Sequence, residues 1–196
     1  MDPQTGQLDL RKNILPVWKN TPIPLLDGRT ITIENLAKEY EEGKTNYVYS
    51  VQKDSNKIVS GKVAWCGKNY TADEMMKITL DNKGYVCLAP EHEFIMRDGT
   101  KKKKKKIKVG DSVMPFNKLN DKYDNTERDK KVSKIERIKG DDVYCMTVTG
   151  DNGEEDRHNF AVKTILNDNL WNVDGCFVSN CVDNDYFIPV RDASAP

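Results

Sequence analysis

The pair Asn180-Cys181, near the end of the chain, combines two side chains that can break and remake a peptide bond. An asparagine amide can attack its own main-chain carbonyl, close a succinimide ring and cut the bond to the next residue. A cysteine directly after that bond offers a thiol that can accept an acyl group. The same pair also occurs where a strand ends in a turn, and this alternative stays open until other residues are considered.

Two histidines, His92 and His158, are the only imidazoles among the 196 residues. Because an imidazole titrates near neutral pH, either one could protonate a leaving nitrogen or accept a proton during such a cleavage. An isolated histidine has a structural role more often than a catalytic one. The meaning of this pair therefore depends on the motifs around it.

The chain has five cysteines and no CxxC pair; they are Cys66, Cys87, Cys145, Cys176 and Cys181. An odd number without metal-ligand spacing predicts free thiols rather than a disulfide framework or a zinc ribbon. A thiolate among them could act as a nucleophile. Each could equally be a small buried strand residue.

The charge of the chain is balanced, with 31 Lys and Arg against 31 Asp and Glu. This balance argues against a general nucleic-acid or membrane-surface binder. No apolar run approaches the roughly 18 residues of a membrane span, and the first residues, Met1-Asp2-Pro3-Gln4, do not resemble a signal peptide. We therefore expect a cytoplasmic protein with room for one sizeable domain.

The first elements that must position these groups are an arm and a short helix. Residues 1–21 are polar and then rich in proline, which favours a flanking arm over a core element. After a turn and a strand, Ile33, Leu36 and Tyr40 share one apolar face, and Gly43 follows where a helix would end.

Beyond this helix, short apolar runs separated by turn residues predict strands throughout. They cover residues 47–51, 57–65, 76–80, 84–88, 93–96, 109–115, 132–138, 143–148, 158–162 and 176–178. The lysine run at 101–106 is interpreted as a solvated strand or loop face, and the highly charged stretch 117–131 as a surface loop. Because no βαβ rhythm is present, we expect a mostly β, strongly bent domain.

Four segments resemble, in order, the conserved blocks of inteins. Leu26-Asp27-Gly28-Arg29-Thr30 resembles the opening block without its nucleophile, and Cys87-Leu88-Ala89-Pro90-Glu91-His92-Glu93-Phe94 resembles the second block, usually Thr-Pro-x-His. Val143-Tyr144-Cys145-Met146-Thr147-Val148, followed by His158-Asn159-Phe160, resembles the block Val-Tyr-Asp-Leu-x-Val with His-Asn-Phe. Gly175-Cys176-Phe177-Val178-Ser179-Asn180-Cys181 resembles the last block, usually Val-His-Asn before Cys, Ser or Thr. Both histidines fall on motif positions, which favours a catalytic role for each.

The resemblance implies the Hint fold, a mostly β horseshoe with one short helix whose two ends meet at one site. It implies a domain at residues 22–180, between an upstream flank at 1–21 and a downstream flank at 181–196. The implied activity is autocatalytic protein splicing, in which Asn180 cyclises and Cys181 receives the upstream flank. No homing endonuclease fits between the second and third blocks, so the resemblance implies a mini-intein that needs no cofactor or metal.

Three positions depart from the intein pattern. No Cys or Ser stands at the upstream junction, where Thr21 is the nearest hydroxyl. Ala89 replaces a Thr that helps to bind the scissile carbonyl. Ser179 replaces the penultimate His, so Asn180 lacks its nearest imidazole unless His158 lies beside it.

Cys145 is the candidate for the missing upstream nucleophile. In one subclass of inteins a Cys at this position attacks the upstream junction directly and forms a branched thioester. That subclass also carries a Trp and a Thr where this chain has Phe94 and Val178, so the match is partial. The alternatives are direct attack by Cys181, a buried structural role for Cys145, and a chain disabled by substitution.

The resemblance implies single-turnover self-processing rather than multiple-turnover catalysis. The implied partners are the chain's own flanking segments, with no nucleic acid, no membrane and a monomeric state. The flanks resemble a stretch of tailed-phage portal proteins. Two rival interpretations are a degenerate Hint domain, limited to C-terminal cleavage or inert as a structural insertion, and an ordinary β-rich binding domain with accidental matches.

Overall fold

The computed structural model describes residues 16–52, 55–90, 93–103, 107–120, 122–126, 130–152 and 156–179. Within these ranges no helix has the length and apolar character that crossing a membrane requires. The fold is mostly β with a single short helix in the described residues, as the sequence predicts.

The secondary structure consists of sixteen strands and helix α1 in the described ranges. The helix is Ile33–Glu41. The strands are β1 Val17–Trp18, β2 Pro22–Pro24, β3 Thr30–Thr32, β4 Tyr47–Val51, β5 Ile58–Thr71, β6 Glu74–Leu80, β7 Tyr85–Leu88, β8 Glu93–Ile95, β9 Lys101–Lys103, β10 Ser112–Val113, β11 Pro115–Leu119, β12 Lys122–Asp124, β13 Lys130–Lys139, β14 Asp142–Thr149, β15 Asn159–Asn167 and β16 Leu170–Ser179.

Helix α1 begins and ends at residues whose chemistry favours a boundary. The Thr32 hydroxyl accepts a hydrogen bond from the Asn35 N–H at 3.2 Å, which caps the first turn. Gly43 follows the helix with φ +88°, a conformation that favours glycine. The buried face contains Ile33 and Leu36, so the predicted helix is confirmed.

Fourteen strands form one sheet, whose main path runs β12-β11-β16-β15-β7-β1-β14-β5-β4. The predicted hairpins β4–β5 and β6–β7 are confirmed. Two further strands extend the sheet beyond this path: β6 joins β13 to β7, and β8 joins β9 to β16. Strands near the two ends of the chain, β1 and β16, thus belong to one sheet.

One cluster of buried side chains joins these strands. It includes Val17, Leu88, Phe94, Phe160 and Val178, each at most 1% exposed. Full burial of an apolar side chain of this size contributes about 1.5–3 kcal/mol. The strands that carry the upstream and downstream motifs are therefore held by the same core.

The charged stretch 117–131 is not only the surface loop that the sequence predicts. Part of it forms the β11–β12 hairpin and the start of β13. Phe116 stacks on Tyr123 with ring centroids 3.9 Å apart, and the Lys130 ammonium donates to Asn117 Oδ1 and lies 3.8 Å from Asp174 Oδ2. The buried Lys130 ammonium is thus satisfied by a hydrogen bond and an ion pair. The composition of the segment does not reveal these partners.

Candidate active site

Strand β1 brings the beginning of the described chain into the sheet. Val17 is fully buried and lies opposite both Tyr144 of β14 and Leu88 of β7. The Ala89 N–H donates to the Pro16 carbonyl at 3.1 Å. Sheet pairing thus begins before residue 22, the predicted start of the domain, and the interpretation of residues up to 21 as an arm is corrected for β1. Where the upstream flank ends stays a prediction.

Cys145 lies next to this strand, in β14. Its register partner on the other side is Gly67 of β5, and its side chain is 1% exposed. Cys145 is disulfide-bonded, so the prediction of a free thiol is wrong for this residue in the structure. Its burial agrees with the structural alternative, and its role as the upstream nucleophile stays a prediction.

The other described cysteines are free thiols in the interior: Cys66, Cys87 and Cys176. Burial raises the pKa of the Cys66 thiol well above its ordinary value, and it raises that of Cys87 and Cys176 to about 12. Because the thiolate is the reactive form, these three residues are poor nucleophiles at neutral pH.

The downstream motif forms the end of β16. Val178 lies opposite Phe160 of β15 and Phe94 of β8, and Ser179 lies opposite Asn159. Ser179 is fully buried, and among the described residues its hydroxyl has no hydrogen-bond partner. The predicted residues Asn180 and Cys181 lie outside the described residues.

A short connection runs from β7, which pairs with the upstream strand β1, to β8, which pairs with the downstream strand β16. Leu88 faces Val17 in β1, whereas Phe94, six residues later, faces Val178 in β16. The chain between them carries His92, which lies outside the described residues. Ala89, at the start of this connection, stands where the resemblance implies a Thr. It contacts Pro16 through its backbone, so the missing hydroxyl does not affect this hydrogen bond.

His158 has an unusual backbone conformation, with φ +65°. Its backbone N–H donates to Asp156 Oδ1 at 2.7 Å, and its Nδ1 lies 3.6 Å from the same oxygen. That separation is an ion-pair distance and not a hydrogen bond, and Nδ1 is buried without a hydrogen-bond partner among the described residues. Asp156 was missed by sequence reasoning, although an Asp two residues before a left-handed residue is a known turn signal.

Asn159, the residue after His158, is buried and anchors the start of β15. Its side-chain Oδ1 accepts from the Val51 N–H at 2.8 Å, and its Nδ2 donates to the carbonyls of Val51 and Arg157 at 3.0 and 2.9 Å. Its own carbonyl accepts from the Ser50 hydroxyl at 2.7 Å. Strand β4 therefore positions the beginning of β15, a role that the sequence motif alone does not indicate.

A cavity of about 740 Å³ lies beside His158 and Asn159. Its wall also includes Gln52, Ile95 and Lys101. The end of β16 is adjacent, because Ser179 pairs with Asn159. The cavity is therefore next to the last described residue of the downstream motif.

Comparisons with known proteins identify one family. The sequence model of the intein splicing domain matches residues 23–169. A DNA gyrase subunit from Synechocystis sp. is 33% identical over 99 residues, which are 50% of this chain and 9% of that protein. The chain thus spans less than a tenth of the curated relative that it matches.

Solved structures agree with the family match. A variant of the Ssp DnaB mini-intein superposes with a TM-score of 0.68 at 15% identity, covering 88% of this chain and 98% of that chain. The DnaB intein from Synechocystis sp. superposes with a TM-score of 0.64 at 17% identity, covering 85% and 98%. This likeness establishes the fold, and the predicted Hint architecture is confirmed.

Proposed function

Because the chain belongs to the family of intein splicing domains and is a mini-intein that functions in protein splicing, we propose specific residues for each step. Cys145 attacks the upstream junction, Asn180 cyclises at the downstream junction, and Cys181 receives the upstream flank. The reaction is single-turnover self-processing. The flanks of the same chain are its substrates, so we expect a monomer that needs neither nucleic acid nor a membrane.

The strand register around Cys145 carries this proposal. Val17 pairs with Tyr144 and Trp18 with Val143. Continued by one residue, this antiparallel register pairs Pro16 with Cys145, and directly opposed Cα atoms lie about 4.5–5.5 Å apart. We infer from this register that Cys145 attacks the peptide bond that precedes Pro16.

We therefore assign the upstream scissile bond to Leu15-Pro16. From Pro16 onwards the backbone is integrated in the sheet, since the Pro16 carbonyl accepts from Ala89 and Val17 pairs on both sides. The Pro16 nitrogen carries no hydrogen, so its release removes no donor from the strand ladder. This assignment also explains why no Cys or Ser is needed at the junction itself.

The first chemical step forms a branched thioester. The Cys145 thiolate attacks the Leu15 carbonyl carbon, the bond to the Pro16 nitrogen breaks, and that nitrogen takes up a proton and leaves as a secondary amine. His92 is the proposed proton donor, because the segment that carries it begins at Ala89, beside Pro16. Direct attack by Cys181 on the same carbonyl is the alternative that experiment must exclude.

The next steps move the acyl group and release the domain. The Cys181 thiol attacks the thioester carbonyl, and Cys145 leaves as a thiol. The Asn180 side-chain nitrogen then attacks its own carbonyl carbon, which breaks the bond to Cys181 and frees an α-amino group. That amine attacks the thioester on Cys181, and the two flanks become joined by a peptide bond.

Asn180 needs an acid–base partner, and we propose His158. Phe160 pairs with Val178 and Asn159 with Ser179, so His158 and Asn180 each adjoin the last described pair of this register. We propose that they face each other during cyclisation. The buried Ser179 hydroxyl, free of hydrogen bonds to the described residues, is available to donate to the Asn180 carbonyl as negative charge develops. These two groups together take the place of the usual penultimate histidine.

Intact-mass measurement over time, in reducing buffer, tests the assignment. The parent chain should yield two products: residues 16–180, and residues 1–15 ligated to 181–196. Asn180→Ala should instead accumulate a thioester that hydroxylamine cleaves after residue 15. Asn180→Ala/Cys145→Ala should lack this cleavage, whereas Asn180→Ala/Cys87→Ala should keep it.

Each other outcome has a defined meaning. A thioester that persists without Cys145 would assign the attack to Cys181. Release of residues 181–196 without ligation would support the degenerate Hint domain with C-terminal cleavage only, and an unchanged mass would support an inert structural insertion. A fragment that ends at another residue would refute the Leu15-Pro16 assignment.

A further inference from the structure

We propose that Trp65 keeps water away from the thioester on Cys145, and so directs the upstream flank to ligation rather than to hydrolysis. The inference rests on the proposed role of Cys145 as the upstream nucleophile, and it adds a positioning residue to that site. Trp65 lies outside the four segments that resemble the conserved blocks of inteins, so the motifs do not identify it.

The pairing of β5 with β14 places Trp65 and Cys145 on the same face of the sheet. Gly67 lies opposite Cys145, and Cys66 lies opposite Met146. Cys66 and Met146 both belong to the main core cluster. Because successive side chains point to opposite faces and directly opposed residues share a face, Trp65, Gly67 and Cys145 project away from that cluster together.

The Trp65 ring lies in the space that a side chain at position 67 would occupy. A Cβ on Gly67 would be 2.8 Å from Trp65 Cζ2 and 3.3 Å from Trp65 Cη2. Since directly opposed Cβ atoms lie about 4.5–5.5 Å apart, the ring is no more than about 8 Å from Cys145 Cβ. The backbone of Gly67 is not left-handed, so the ring rather than the backbone explains the glycine.

The exposure of the two side chains indicates a cover. Cys145 is 1% exposed, whereas Trp65 is half-buried. A half-buried indole presents one side to solvent and packs its large apolar surface against the interior with the other. The ring is therefore placed to cover Cys145 on the side of β5, and exclusion of water protects a reactive intermediate from hydrolysis.

Hydrolysis is the reaction that competes with transfer to Cys181. A water oxygen attacks the thioester carbonyl carbon of Leu15, the carbon–sulfur bond breaks, and the Cys145 sulfur takes up a proton. Residues 1–15 then leave with a free carboxylate, which does not react with the downstream thiol. A cover over the thioester thus controls the product without taking part in bond formation.

The experiment uses the Asn180→Ala/Cys181→Ala chain in reducing buffer, because its acyl group cannot move beyond Cys145. Hydroxylamine measures the fraction of chain present as thioester, and release of residues 1–15 without hydroxylamine measures hydrolysis. Their ratio is a rate constant per thioester, which does not depend on how much thioester forms. Trp65→Ala in this chain should raise it about tenfold, whereas Trp65→Phe keeps an aromatic cover and should stay within about twofold of the reference.

A methyl group at position 67 tests the same geometry without changing Trp65. Gly67→Ala places a Cβ where the indole lies, so it should displace the ring and also raise the rate constant. Gly61→Ala is the matched control in the same strand, because its Cβ would meet Val148 instead of Trp65. Trp171→Ala, which removes an exposed indole of β16, controls for the loss of a tryptophan.

An unchanged rate constant in Trp65→Ala, or an equal rise in the two control variants, would overturn the shield. Failure of the proposed function looks different. In that case the Asn180→Ala/Cys181→Ala chain with an intact Trp65 forms no thioester that depends on Cys145, and the shield falls together with the nucleophile.

Discussion

Val17 faces Tyr144 across an antiparallel strand pair near the middle of the sheet. Strand β1 has only two residues, so it gains little from its own hydrogen bonds and depends on packing between β7 and β14. The Trp18 indole N–H adds a hydrogen bond to Asp141 Oδ2 at 3.0 Å. Strand β1 is thus held by tertiary contacts on both sides.

Replacement of Val17 should lower both the unfolding free energy and the rate of thioester formation, whereas replacement of Val48 should lower only the unfolding free energy. Val17→Ala and Val48→Ala each truncate a fully buried valine of the same core cluster, and each should cost about 2 kcal/mol of unfolding free energy. Only Val17→Ala should also slow Cys145-dependent thioester formation, because Val17, unlike Val48, is the neighbour of Pro16. Urea denaturation and hydroxylamine cleavage, both in an Asn180→Ala background, measure the two effects. Equal slowing by the two substitutions would argue against a local role for β1.

Asn159→Ala should be among the more damaging changes in the domain. It removes three side-chain hydrogen bonds and leaves the buried Val51 N–H without its acceptor, a loss of about 2–4 kcal/mol. Asn167→Ala is the matched control, since Asn167 Oδ1 accepts an exposed hydrogen bond from the Asn169 N–H. Chemical denaturation of both variants tests the difference, and a comparable loss in both would contradict the structure.

Alkaline pH should destabilise the fold through its buried thiols. Cys87 and Cys176 have a pKa raised by burial from 9.0 to about 12. Because the folded state favours the protonated thiol, this stabilisation is complete below pH 9.0 and is lost as the pH rises towards 12. In that window each thiol should contribute a slope of up to about 1.4 kcal/mol per pH unit.

Replacing one buried cysteine by alanine measures how much its thiol contributes to this loss of stability. Burial also raises the pKa of Tyr49 and Tyr123, so tyrosines lower alkaline stability in the same direction. Cys176→Ala should reduce the slope of unfolding free energy against pH relative to the parent, while leaving the tyrosine contribution in place. If the unfolding free energy of the parent and of the variant falls with the same slope above pH 9, the Cys176 thiol does not cause the loss of stability.

The sequence predicts those parts of the fold that local chemistry encodes. Thr32 and Gly43 bound the helix, and alternation between turns locates the β4–β5 and β6–β7 hairpins. Strand β1 is not predicted, because two residues between a proline and polar residues are too few to show the alternation of apolar and polar residues that indicates a strand. The β11–β12 hairpin and the start of β13 escape for a related reason: the buried Lys130 of β13 finds its partners, Asn117 and Asp174, only in the folded chain.

The same distinction applies to the site. Motif positions identify Cys145 and His158, but not the contacts that control them. The pairing of β14 with β1 and the hydrogen bond from Ala89 to Pro16 arise from strand order, which a single sequence does not specify. Asp156 was overlooked because its role depends on the backbone conformation of His158.

Asp156 provides a test of how His158 is positioned. Its carboxylate accepts from the His158 N–H at 2.7 Å, and His158 has φ +65°, which costs free energy for a residue with a Cβ. Asp156→Ala removes this acceptor and should slow release of residues 181–196 about tenfold, whereas Asp156→Asn keeps an acceptor oxygen and should retain most of the rate. Release is followed by intact mass in reducing buffer.

Asp151→Ala is the control for loop stability, because Asp151 Oδ1 accepts from the Ser60 hydroxyl at 2.7 Å in the same loop without contacting His158. If Asp156→Asn is as slow as Asp156→Ala, the charge beside Nδ1 matters rather than the backbone hydrogen bond. If all three variants release the peptide at the parental rate, the hydrogen bond from the His158 N–H to Asp156 does not control release. In that case Asp156 has no part in positioning the imidazole for Asn180.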